Sequence, residues 1–154
     1  DNYFQESAQI LGLRGAELIL YPLYGDTLSP QWELKFRARA VDNSLYIASS
    51  QIDNIHTAAY TGLVNPLGEV VCRLDGMPSW KVVEVDLGYT VITSTSGNTE
   101  YRENLKQLLQ KGRNVAAYGP ITQPIEERSW EEIFLGNRPP LSKEQLILQQ
   151  AKDK

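Results

Sequence analysis

The sequence predicts a mixed α/β fold on three observations. A helical pattern of apolar residues runs straight into a short apolar strand, a second helix opens with Ser-Pro, and the chain beyond it changes to strand-length pieces with hairpin chemistry. In order, Phe4, Ala8 and Leu11, with Ile10 and Leu13 beside them, recur at helical spacing, and Gly15 follows where a helix end needs positive φ. A first helix is expected over 3–14. Residues 18–21 form an apolar run too short for a helix and halted by Pro22, which reads as a buried strand.

Residues 23–28 read as a loop. Ser29 then offers a capping oxygen and Pro30 fills a first-turn position that lacks an acceptor, so a second helix is expected over 30–43, with Trp32, Phe36 and Ala40 on one stripe. Strands are expected at 45–50, 60–64, 70–74 and 82–87. Asn65-Pro66-Leu67-Gly68 has the residues of a type I turn and makes a hairpin of its flanking strands. Val83, Val85 and Leu87 alternate with Glu84 and Asp86, the pattern of a half-buried strand. Beyond Gly88 an amphipathic helix is expected over 99–111. Capping-box patterns at Ser129-Trp130-Glu131-Glu132 and Ser142-Lys143-Glu144-Gln145 predict two short helices, with Pro139-Pro140 between them.

Composition narrows the function. The 154 residues hold 42% apolar and 22% charged side chains, a net charge of -4, one Cys and one His. Such a balance gives no electrostatic footprint for nucleic acid or anionic lipid, and no apolar run reaches the length of a membrane span. A single Cys forbids an internal disulfide, and with one His it removes most zinc sites; a reducing, cytoplasmic setting follows, with no metal or cofactor. The chain opens at Asp1-Asn2-Tyr3-Phe4 without an initiator Met and enters a helical pattern almost at once, which suggests a start inside a larger domain.

Cys72, the one thiol, lies mid-strand in Val70-Val71-Cys72-Arg73-Leu74, the place of a packed side chain rather than a nucleophile. His56 and Asp53 in a polar loop complete a possible triad, against which the mid-strand position counts. Glu126-Glu127 and Glu131-Glu132 read as solvated faces. Arg37 and Arg39, two apart on one helix, point to different faces, so at least one turns inward and needs an acidic partner such as Glu6 or Glu33.

The order of the blocks Asp1-Asn2-Tyr3-Phe4-Gln5-Glu6, Leu13 to Pro22, Trp32-Glu33 with Arg37 to Asn43, Leu63 to Val70 and Val83 to Leu87 resembles the second half of the nitrilase superfamily of carbon-nitrogen hydrolases. The resemblance implies part of an α-β-β-α sandwich. Residues 1–88 would be the C-terminal half of a hydrolase domain, and 89–154 a helical extension packed on it or on a partner subunit. It implies hydrolysis of an amide, carbamoyl or nitrile carbon by a Cys nucleophile, a Glu base and a Lys that stabilises the tetrahedral intermediate.

Asp1 matches the Asp of the family's Cys-aromatic-Asp block. The nucleophile would therefore precede Asp1 by two residues, with the Glu and Lys earlier still, so the resemblance names no catalytic residue in this chain and implies no activity for it alone. It does imply pocket-wall positions at Asn2, Tyr3, Leu23 and Tyr24. Asn2-Tyr3 departs from the paired arginines of carbamoyl-amino-acid hydrolases, which argues against an anionic amino-acid substrate; Asn-Tyr after an acidic residue is similar to true nitrilases, although Gln5 replaces their Pro. The helices over 3–14 and 30–43 match the pair through which family members dimerise, so a homo-oligomer is expected. The alternative, from a different class, is a non-catalytic interaction module that pairs with itself or with an N-terminal half; a hydrolase built on Cys72 and His56 ranks last.

Overall fold

A computed structural model describes residues 4–23, 31–51, 60–74, 79–94 and 102–122. The chain divides into two compact units, 1–113 and 114–154. In the first, α1 (Gln5–Leu13), β1 (Leu18–Leu23), α2 (Trp32–Asn43) and β2 (Tyr46–Gln51) form a β-α-β crossover, followed by β3 (Thr61–Val64) and β4 (Val70–Leu74). The sheet order is β1-β2-β3-β4, with β1 and β2 parallel and the later pairs antiparallel. The architecture is α/β, a helix layer on a mixed sheet.

Both helices end alike, and each end has a local cause. After α1 the Ala16 N–H donates to Leu11 O and Gly15 N–H to Gly12 O, both at 3.0 Å. That crossed pair needs a left-handed residue, which Gly15 supplies at φ 94°. After α2 the Leu45 N–H reaches Ala40 O and Ser44 N–H reaches Val41 O, with Ser44 holding φ 48°. Gly12 lies against Asn43 and Leu45, and Tyr46 N–H donates to Glu17 O at 2.8 Å. The C-termini of both helices therefore meet the starts of β1 and β2, which places the helix N-termini at the end where those strands finish.

Register sorts the sheet into two faces. Ile19, Ile47 and Val64 form one cross-strand row and pack with Ala8, Trp32, Phe36, Ala40, Leu45 and Tyr60 into the core beneath the helices. On the opposite face the row runs Leu20, Ala48, Leu63, Cys72. The expected hairpin is present: Asn65 Oδ1 accepts from Leu67 N–H and Glu69 N–H, Gly68 N–H donates to Asn65 O at 2.8 Å, and Gly68 holds φ 76°. Arg37 Nε donates to Gly68 O at 2.7 Å and so ties α2 to this turn. Leu63 pairs with Cys72 but Val64 with Val70, which leaves Val71 as a bulge.

Three expectations change. The strand expected to be buried and to stop at Pro22 runs on to Leu23 and leaves Leu20 70% exposed, because β1 is an edge strand of the sheet, where a proline's missing N–H is tolerated. The alternating residues 82–87 make no strand, because a strand needs a neighbour to take its ladder bonds and none pairs with this segment among the described residues. The helix expected over 99–111 starts at Leu105: β6 (Glu103–Asn104) pairs with β5 (Ile92–Thr93), and the Asn104 side chain then accepts from Gln107 N–H at the start of α3 (Leu105–Lys111). In the second unit a 3-10 turn, Val115–Tyr118, leads into one helical turn, Gly119–Thr122. The capping boxes at 129 and 142 lie outside the described residues.

Candidate functional site

Of the sequence's candidates, Leu23 lies at the end where β1 and β2 finish. Parallel strands following β-α-β connections collect ligands beyond their C-terminal ends, where neighbouring backbones diverge and helix N-termini face inward. Here β1 ends at Leu23, in register with Gln51 at the end of β2. Gln51 N–H donates to Thr61 Oγ1 at 3.1 Å and Ser49 Oγ to Tyr60 O at 2.7 Å, so the end of β2 is held to the start of β3. Leu23 is half-buried and leans on the core. Of the four expected pocket residues it is the one the structure places; Asn2, Tyr3 and Tyr24 lie outside the described residues, as do Asp53 and His56.

Beneath this end lies an aromatic group. Phe36 is fully buried and meets Tyr21 edge-on at 5.4 Å, Trp32 at 5.9 Å and Tyr60 at 6.0 Å between ring centroids. Burial holds the Tyr21 phenol above its ordinary range, with Arg39 opposing that shift. Arg39 is the inward-facing arginine of the pair: its side chain is 13% exposed, Asp42 lies 3.9 Å from it, and its Nε has no hydrogen-bond partner among the described residues.

Glu33, foreseen as a partner of the inward arginine, serves the more exposed Arg37 and Arg73 instead, because the inward Arg39 lies one turn on beside Asp42. Glu33 accepts from Arg73 Nη1 at 2.5 Å and lies 3.7 Å from Arg37 Nη1, while the Arg73 guanidinium rests 5.6 Å over the Tyr60 ring. The Arg73–Glu33 pair was missed by sequence reasoning, and its one signal was an arginine inside an apolar strand. These charges serve one another, joining α2 to β4.

Cys72 sits mid-way along β4, opposite Leu63 and half-buried, on the face that alternation turns away from Arg73 and Glu33. Its backbone carbonyl accepts from Tyr60 Oη at 3.3 Å. Nothing on that face, among the described residues, provides the adjacent base or positive charge that activates a thiol. Among the described residues no three His, Cys, Asp or Glu side chains group as metal ligands, and no helix is long and apolar enough to cross a membrane.

The carbon-nitrogen hydrolase family model matches residues 1–94. The chain belongs to the carbon-nitrogen hydrolase family. Among its relatives, the chloroplastic omega-amidase of Arabidopsis thaliana is 37% identical over 124 residues, which is 73% of this chain and 33% of that protein. Omega-amidase NIT2 of Homo sapiens is 36% identical over 94 residues, 56% of this chain and 34% of that one. The chain thus spans about a third of the length of the curated relatives it matches. A crystal structure of Saccharomyces cerevisiae Nit3, described as a member of branch 10 of the nitrilase superfamily, aligns at 30% identity with a TM-score of 0.45, covering 48% of this chain and 30% of that one. The hydrolase match takes in both helices and all four strands of the main sheet, and ends at Ser94, before β6 and α3.

Proposed function

We propose that this chain is the part of a carbon-nitrogen hydrolase that follows the nucleophile, and that the whole enzyme hydrolyses a non-peptide C–N bond in a small-molecule amide. The family match over 1–94 carries this reading, and the omega-amidase names of the relatives favour an amide over a carbamoyl or nitrile carbon. Asn2, Tyr3, Leu23 and Tyr24 supply the share of the pocket wall that lies in this chain. A thiolate that attacks the amide carbon, a carboxylate that moves protons and a lysine that holds the oxyanion are not supplied by these residues, and Cys72 is a packing thiol, so the chain by itself is inactive. Purified chain assayed on simple amides and nitriles is expected to show no turnover. Activity that survives repurification and disappears in Cys72→Ala overturns the reading.

A second reading, an interaction module, is favoured by apolar surface. Leu20 on the sheet and Ile10, Leu34 and Val41 on α1 and α2 are each at least 42% exposed. The helices over 3–14 and 30–43 are proposed as a self-association surface, and the sheet face bearing Leu20 as the seat of an N-terminal half, in a cytoplasmic protein. Light scattering at micromolar concentration is expected to give a dimer or larger species; a clean monomer counts against the helix surface. Turnover restored by co-expression with an N-terminal half supports the complementing role.

A further inference from the structure

The corner where α1 passes into β1 is held from far along the chain. The last turn of α1 contains no basic residue, and its crossed bonds leave Gly12 O and Ala16 O able to accept again. Lys106 and Gln110, one helical turn apart on the same face of α3, reach both carbonyls. Lys106 Nζ donates to Ala16 O at 2.8 Å across 90 residues, and Gln110 Nε2 to Gly12 O at 3.3 Å. Lys106 Nζ also lies 2.5 Å from Glu17 Oε1, with the lysine side chain 16% exposed. Glu17 is the residue whose carbonyl takes the Tyr46 N–H and so begins the pairing of β1 with β2.

The approach of α3 is itself fixed. Its first residue donates from Leu105 N–H to Val91 O at 2.9 Å beside the β5–β6 pair, and Asn104 caps it. The helix therefore arrives with its orientation set by one group of bonds and spends a separate pair of side chains on the corner. An ammonium near carbonyls at a helix C-terminus is favourable electrostatically, and a hydrogen bond from a charged donor is worth more than one between neutral groups.

We propose that α3 is a clasp with Lys106 as its pin: it completes the C-terminal cap of α1 and locks the first residues of β1, so that the seat of the helix layer depends on a segment beyond the family match. Lys106 acts here as a positioning residue. Its effect passes through the Gly12–Glu17 corner.

The test is amide hydrogen exchange on the purified chain. In Lys106→Met, the amides of Gly15 and Ala16 and those of the last turn of α3 are expected to exchange about tenfold faster together, whereas Lys111→Met, which removes an exposed charge from the end of the same helix, leaves Gly15 and Ala16 unchanged. Raising salt toward 1 M should accelerate exchange at the corner in the unaltered chain and not in Lys106→Met, since an ion pair partly open to water is screened while backbone packing is not. If Lys106→Met fails to fold, Gln110→Ala, which removes a neutral contact, carries the same comparison at a few-fold effect. Loosening of α3 with an unchanged Gly15–Ala16 corner, or equal effects of Lys106→Met and Lys111→Met at that corner, overturns the proposal.

Discussion

On the face of the sheet turned toward α1 and α2, Ile19 is 5% exposed, Ile47 1% and Val64 0%; one residue along from Ile19, on the other face, Leu20 keeps 70% of its surface. The difference is not hydrophobicity. Both rows are apolar at β1 and β2, but the first has two amphipathic helices of the same chain to cover it, whereas the second is covered unevenly, from open Leu20 to Leu63 at 6%. A strand's alternation specifies two faces and leaves open which of them finds a cover.

The largest effect that can break this contrast is at its centre. Phe36→Ala, which removes the ring that Tyr21, Trp32 and Tyr60 all touch, is expected to cost about 3–5 kcal/mol by urea unfolding. The sharpest comparison pairs neighbours: Ile19→Ala should cost about 2–4 kcal/mol and Leu20→Ala within about 0.5 kcal/mol. Equal costs would mean that the second face is as well covered as the first. Gly68→Ala is expected next, at about 1–3 kcal/mol, because the turn residue sits at φ 76° and a Cβ there would come 2.6 Å from Val41 Cγ2, pushing α2 off the sheet it covers.

The smallest effect compares the faces by pH. Tyr21 beneath the helices and Tyr46 on the far face both have phenols held above the ordinary value of 10.0, Tyr21 by burial against the opposing Arg39, Tyr46 by burial and then by Asp86 and Tyr89. A phenol harder to ionise when folded leaves the folded chain holding more protons than the unfolded one above pH 10, so this contribution is complete below about pH 10 and is lost as pH rises through the folded-state values. Tyr21→Phe and Tyr46→Phe should each flatten the fall of stability measured from pH 9 to 11. If Tyr46→Phe leaves that slope unchanged, neither the burial of the Tyr46 phenol nor the approach of Asp86 and Tyr89 to it holds in solution.

What could be read in advance was local. Asn65 to Gly68 carries its turn in its own side chain and φ value, and Gly15 marks the end of α1 because few other residues accept its conformation. Residues 82–87 show the opposite case, an alternating pattern with no ladder. The start of α3 was set by the pairing of Glu103 and Asn104 with Ile92 and Thr93 rather than by its own periodicity. Of the candidate pocket only Leu23 could be followed into the fold, where it is the last residue of β1.

By itself the sequence determined the two helices, the strand after the first, the hairpin and the carbon-nitrogen hydrolase family, since spacing, caps and turn residues act within a few positions of one another. Only the tertiary structure decided that Glu33 serves Arg73, that Lys106 seats the α1–β1 corner and that Ile19 is covered while Leu20 is open. Ladder bonds, buried area and charge pairs exist only when a second group arrives from elsewhere in the chain, and that arrival is a property of the whole fold.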